Sequence, residues 1–402
     1  MSRKWLEREA PRWIREEIIT TEQYERIVQL YPREKRTLGL LTIFGGLFIG
    51  IGIISFIAAN WQELPELFRI VLLATAMIAA YLSGERIHAS GRANLGIAVV
   101  GIGLFLFGGS IILIGQMYHM IAFSALSIII WAVAGLALTY LYRSRYLGAI
   151  SLILLTVAQI YSLQSFNTFS FAAYAILLVG FGTYLYLQKD RAISALWSIS
   201  VVIHSLILVL SQEWSFGWFL FILAVLYSLT DLHVERSQRV FLQLAPLLAG
   251  FIFSVVQVFM DGELREDLLP NPEWFLVFFI LLLIGNAYMK WRGNRVITML
   301  DWLLFMPLFY FPAYSLSILY LVTIFIFSLY VLLRGYTAES REQIYAGTAL
   351  FLISTMVAYF KLTWDFMDKS LFFIIGGILL FLLSWLLNLR TRQILRNKGG
   401  NV

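Results

Sequence analysis

Fourteen stretches of this chain run for the length of a membrane-spanning helix with hardly a charged side chain in them. A hydrocarbon core about 30 Å thick needs roughly 17 to 25 mostly apolar residues per helix, so such runs are the natural units of the fold. They extend from 38–59 to 370–389, and 215–230 and 296–311 are the shortest. Composition agrees: 60% of residues are hydrophobic and 13% charged, where soluble domains carry about 25% charged residues. A barrel would instead alternate in segments of about ten residues. The expected fold is all-α, a polytopic helical bundle of about 14 transmembrane helices over residues 37–390.

Basic residues test the count, because Lys and Arg accumulate on cytoplasmic loops. With fourteen crossings, 26 of the 30 basic residues fall on the side of the N-terminus. Only Arg69, Arg265, Lys361 and Lys369 fall opposite. The chain is therefore expected to have both termini in the cytoplasm, ending in a short basic tail at 391–402. Residues 1–36 are charged throughout and resemble no cleaved signal, so the first span is expected to stay in the mature protein.

Residues 1–36 read as a cytoplasmic amphipathic hairpin. Trp5, Leu6, Ala10, Trp13 and Ile14 recur near the helical period. Thr20, Thr21, Glu22 and Gln23 form a capping box before Tyr24, Ile27, Val28 and Tyr31, and Pro32 ends the helix. Such a hairpin suits the bilayer surface or a cytoplasmic protein partner.

Three patches of sequence also carry a resemblance. They are Glu17 to Ile27, the run Phe56-Ile57-Ala58-Ala59-Asn60-Trp61, and Phe107-Gly108-Gly109-Ser110 leading to Gly115-Gln116-Met117-Tyr118-His119. Taken in order they resemble the bacterial and archaeal predicted membrane proteins that carry domain of unknown function 2157, over roughly residues 15–125. The resemblance implies a prokaryotic cytoplasmic membrane and a similar N-terminal segment preceding the first span, and it brings no activity with it. Under the charge-derived topology, Asn60, Trp61, Glu63, Glu66, Gln116, Tyr118 and His119 all end on the outer side. Amide, indole, phenol and imidazole groups there suit hydrogen bonding and stacking to a headgroup or sugar, and they equally suit an aromatic belt.

Polar residues inside the bilayer each need a reason, since a charge at mid-membrane costs about 2.5 to 3.5 kcal/mol on insertion scales. Asp301 reads as the only carboxylate well inside a span, on a short helix interrupted by Pro307. It is a candidate ion-coupling group of the kind discontinuous helices frame, or a partner for Arg292 or Arg295. His204, in mid-span, is a second candidate, or a buried histidine satisfied by a hydroxyl or carbonyl. Gly46, Gly50, Gly101, Gly103, Gly108 and Gly109 allow close helix approach.

Several chemistries are excluded. Without cysteine there is no disulfide, thiolate metal site or cysteine nucleophile. No Gly-Lys dipeptide occurs, so the phosphate-binding loop of nucleotide hydrolases is absent. His88, His119, His204 and His233 lack ligand spacing, so no metal or cofactor is expected, and the scattered basic residues form no nucleic-acid face. Three readings follow. The first is an ion-coupled transporter or flippase-like carrier of an amphiphilic or lipid-linked substrate, with Asp301 as the coupling group. The second is a non-catalytic scaffold or sensor in envelope maintenance that recruits a partner through residues 1–36. The third is a membrane-embedded glycosyl transferase or ligase using Glu63 or Glu66 as base.

Overall fold

The computed structural model describes residues 18–30, 65–233, 236–260, 271–293, 295–311 and 313–363, positions 10, 13, 14 and 16, eight positions between 44 and 55, and 374, 377, 378 and 381. Every regular element among them is helical. Nine of these helices are long and apolar enough to cross a membrane, and three apolar helical segments are shorter. The first and last expected spans fall largely outside the described residues, as does the tail at 391–402.

The chain divides into two compact units, residues 1–121 and 122–402. In the first, α1 (Thr21–Leu30) opens on the expected reciprocal cap: the Gln23 amide donates to Thr20 Oγ1 at 3.2 Å, and the Thr20 amide donates to Gln23 Oε1 at 2.9 Å. Two orphan donors are thereby satisfied. Helices α2 (Glu66–Ala89) and α3 (Ala93–Met117) form an antiparallel hairpin whose turn passes through Gly91 at φ 89°, a left-handed backbone that favours glycine. Their backbones approach closely. A Cβ on Gly96 would lie 2.6 Å from the His88 nitrogen, and one on Gly103 would lie 2.8 Å from the Tyr81 ring. A Cβ on Gly46 would lie 3.1 Å from that of Ala98, so the expected packing role of these glycines holds at both Gly46 and Gly103.

The second unit contains α4 (Leu126–Tyr142), α5 (Arg145–Phe166), α6 (Phe171–Gln188), α7 (Arg191–Ser211), α8 (Phe216–His233), α9 (Arg236–Phe259), α10 (Pro272–Arg292), α11 (Ala313–Thr337) and α12 (Arg341–Thr363). Between α10 and α11 the chain forms a 3-10 helix, Val296–Phe305, and a 3-10 turn, Leu308–Tyr310. One apolar core is built from α4 to α7 with Leu226 and Leu242. The other joins α8, α9, α10, the 3-10 helix and α11 around Tyr227, Phe275, Phe305 and Tyr320. The outward faces are as apolar as the cores: Val179, Leu281 and Ile297 are all more than 60% exposed. Water would not tolerate such surfaces on a soluble chain, whereas lipid solvates them.

Where the backbone departs from the α-helix, a side chain from a neighbouring helix donates to the carbonyls involved. In hydrocarbon no water can do so. Pro246 inside α9 has no amide to give to Leu242, and Ser198 Oγ of α7 donates to the Leu242 oxygen at 2.6 Å. Within α6 the backbone widens to a π-helix at Ile176–Phe181; Trp197 Nε1 donates to the Leu177 oxygen at 2.8 Å, and Tyr140 Oη to the Gly180 oxygen at 2.7 Å. Replacing Ser198→Ala is therefore expected to cost about 1 kcal/mol, read as a lower melting temperature, while Ser83→Ala on an exposed face costs little. In a Pro246→Ala background the loss should shrink, because residue 246 then supplies the missing amide. An equal loss in both backgrounds would contradict this pairing.

The segment 296–311, expected as a short proline-interrupted span, is not an α-helix. Ten residues of 3-10 helix rise about 20 Å, against about 15 Å for an α-helix of equal length, before the chain breaks at Met306 and Pro307. At three residues per turn, Thr298, Asp301 and Leu304 fall in one row, in which Thr298 meets α10, Asp301 meets α8 and Leu304 packs beside Gly250 of α9.

Candidate functional site

That row meets four helices, each carrying two polar residues one turn apart. Tyr227 and Asp231 belong to α8, Arg239 and Gln243 to α9, Asn286 and Lys290 to α10, and Tyr330 and Arg334 to α11. Residues four apart share a helix face, so each helix presents one polar notch on an otherwise apolar surface. The notches converge.

At the centre lies Lys290, whose side chain is 1% exposed. Its Nζ donates to Tyr227 Oη at 2.7 Å and to the Thr298 carbonyl oxygen and Oγ1, both at 2.8 Å. It lies 3.6 Å from Asp231 Oδ2. Tyr227 Oη in turn donates to Asp301 Oδ2. A continuous chain thus runs from Asp231 through Lys290 and Tyr227 to Asp301. Both carboxylates are excluded from solvent, Asp231 with 1% of its side chain exposed and Asp301 at 4%.

Asp231 is the more heavily partnered acid. Arg295 Nη1 donates to Oδ1, Gln243 Nε2 donates to Oδ1 at 3.2 Å, and Asn286 Nδ2 donates to Oδ2 at 3.1 Å. Arg239 Nε stands 3.8 Å from Oδ1. Asn286 is itself held by Trp302 Nε1, which donates to its Oδ1 at 2.7 Å. Arg334 Nη1 donates to Tyr330 Oη at 3.1 Å. Burying a carboxylate is affordable only with partners of this number and geometry.

Three expectations are corrected. Asp301 is not the only carboxylate well inside an apolar helical segment, because α8 continues to His233 and buries Asp231 as deeply. Arg295, expected with Arg292 as a possible partner for Asp301, pairs with Asp231 instead, and Asp301 accepts from Tyr227. Lys290, counted as a loop charge, is wholly buried.

His204 is fully buried in α7. Its Nδ1 lies 2.8 Å from the Ser200 carbonyl oxygen, so Nδ1 carries the proton, and its ring stacks on Tyr174 with centroids 5.9 Å apart. No partner meets Nε2 among the described residues. Of the outer-face residues, Asn60, Trp61 and Glu63 lie outside the described residues. Glu66 begins α2, while Gln116, Tyr118 and His119 end α3, so the hairpin brings all four to one end, each exposed. His119 takes the left-handed backbone at φ 51° that closes the helix.

Residues 11–148 match the family described as predicted membrane protein (DUF2157). The match covers α1 to α4 and the first residues of α5, and reaches further at both ends than the residues that carry the resemblance. It stops well before Tyr227, so the buried polar chain belongs to a part of the protein about which the family model says nothing. No curated protein and no solved structure matches the chain. The protein is accordingly a membrane protein with several apolar helices, similar to that family over residues 11–148.

Proposed function

We propose that the protein is an ion-coupled carrier of an amphiphilic or lipid-linked substrate in a prokaryotic cytoplasmic membrane, with both termini inside and Asp301 as the coupling group. The observation that supports this reading is the buried sequence in which Asp231 pairs with Lys290 at 3.6 Å and hydrogen bonds run on from Lys290 through Tyr227 to Asp301. Every member carries a titratable group, and none is screened by water. Asp301 stands on a helix that is not α-helical and is broken by Pro307, as in carriers whose binding sites use interrupted helices. On this reading Glu66, Gln116, Tyr118 and His119 meet the substrate headgroup on the outer side. A glycosyl transferase draws less support: its candidate bases are Glu63, outside the described residues, and Glu66, exposed at the start of α2.

The direct test reconstitutes the purified protein in vesicles containing a pH-sensitive dye, together with the amphiphile that mass spectrometry finds retained in native membrane discs. Imposing a pH gradient should drive movement of that amphiphile, with a matching proton flux. Retention of protein partners and no amphiphile, with vesicles no leakier than empty ones, would overturn the carrier reading.

A further inference from the structure

The atoms around Lys290 Nζ form a set with its own meaning. Two oxygens come from Thr298, one from its backbone and one from its hydroxyl; a third is the Tyr227 phenol, all within 2.8 Å. The Asp231 carboxylate stands behind at 3.6 Å, and the Tyr227 ring faces the ammonium with its centroid 4.6 Å away. Neutral oxygens backed by a carboxylate, one of them from a backbone outside the regular α-helix, are the donors that hard monovalent cations take in membrane proteins.

We propose that Lys290 is a tethered cation filling a built monovalent-cation site, and that its presence restricts the coupling ion to the proton. The second half rests on the carrier reading. A sodium ion could enter only if the ammonium left, because two unit charges a few ångströms apart in a poorly screened interior repel strongly. The lysine side chain is wholly buried and cannot withdraw without opening the surrounding packing. A proton needs no such displacement: it passes between Lys290 Nζ, Tyr227 Oη and Asp301 Oδ2 along bonds already made. The other charged or titratable groups facing this point are Asp231 from α8, Arg239 from α9, Arg295 before the 3-10 helix, and Tyr330 with Arg334 from α11.

The test uses the full-length protein in detergent, wild type and Lys290→Ala, melted in sodium, methylammonium or choline chloride at one ionic strength. Removing the side chain vacates the site, so Lys290→Ala should melt about 2 °C higher in sodium or methylammonium than in choline, which is too large to enter. The wild type should melt alike in all three, and adding Asp231→Asn to Lys290→Ala should abolish the response. If Lys290→Ala does not fold, Lys290→Ser serves in its place. A sodium-specific rise in the wild type would overturn the proposal, as would equal melting of the folded variant in all three salts. That failure leaves the carrier reading open, whereas absence of amphiphile movement in the wild type removes the carrier reading and leaves the cation site intact.

Discussion

Asp231→Ala is expected to be the most damaging single substitution in the described part of the chain. It strips the counter-charge from Lys290 and Arg295 and from the nearby Arg239, and it leaves the donors of Gln243 and Asn286 without their acceptor. Breaking a buried pair by deleting one partner costs about 3 to 5 kcal/mol, since the remaining charge cannot be rehydrated. Folded proteins are stable by about 5 to 15 kcal/mol, so the yield of monodisperse protein should fall sharply. Asp231→Asn keeps one acceptor oxygen and should fall between. The contrast is Asp190→Ala, whose partner Arg145 is 69% exposed. There the loss is mainly the cap on α7, where Asp190 accepts the amides of Ala192 and Ile193 at 2.9 and 3.1 Å, worth about 1 kcal/mol. Comparable melting temperatures for Asp231→Ala and Asp190→Ala would contradict the ranking.

Asp301→Asn should separate function from folding. Asparagine has nearly the same shape and still accepts from Tyr227, so the packing of Trp302, Leu304 and Phe305 around it is preserved. It cannot release or take up a proton, so the relay ends at Tyr227. Proton-coupled movement of the retained amphiphile should fall to the rate of empty vesicles at every pH, while the melting temperature changes by only a few degrees. Flux equal to wild type across the pH range would remove Asp301 from the mechanism.

The helical membrane architecture was legible in the sequence because runs of apolar residues report burial in lipid whatever their neighbours are. The cap on α1 was legible for a similar reason: Thr20 and Gln23 lie three residues apart and need no distant partner. Asp301 stood out as an acid in an apolar run. Its partners did not, because Tyr227, Lys290 and Tyr330 come from three other helices, and tertiary packing alone brings them together. Lys290 lies just past an apolar run, and its burial is not legible there, since a basic residue at a helix end snorkels to the interface unless an oxygen cage meets it. One local signal was nevertheless present. Tyr227 with Asp231, Arg239 with Gln243, Asn286 with Lys290 and Tyr330 with Arg334 all repeat a four-residue spacing toward helix ends. Four such notches on four of five successive apolar segments imply that the segments meet there. The 3-10 backbone of 296–305 has no comparable signature, because Thr298 and Asp301 share a face in either helix type.

The most direct measurement of the buried chain is a double-mutant cycle between Asp231→Asn and Lys290→Met, read by thermal unfolding of the full-length protein. If the two charges face each other in the core, each single variant should be destabilised and the double variant should lose less than the sum, by a coupling of about 1 to 3 kcal/mol. Additive losses would mean that Lys290 and Asp231 do not meet, and the relay from Asp231 to Asp301 would not exist.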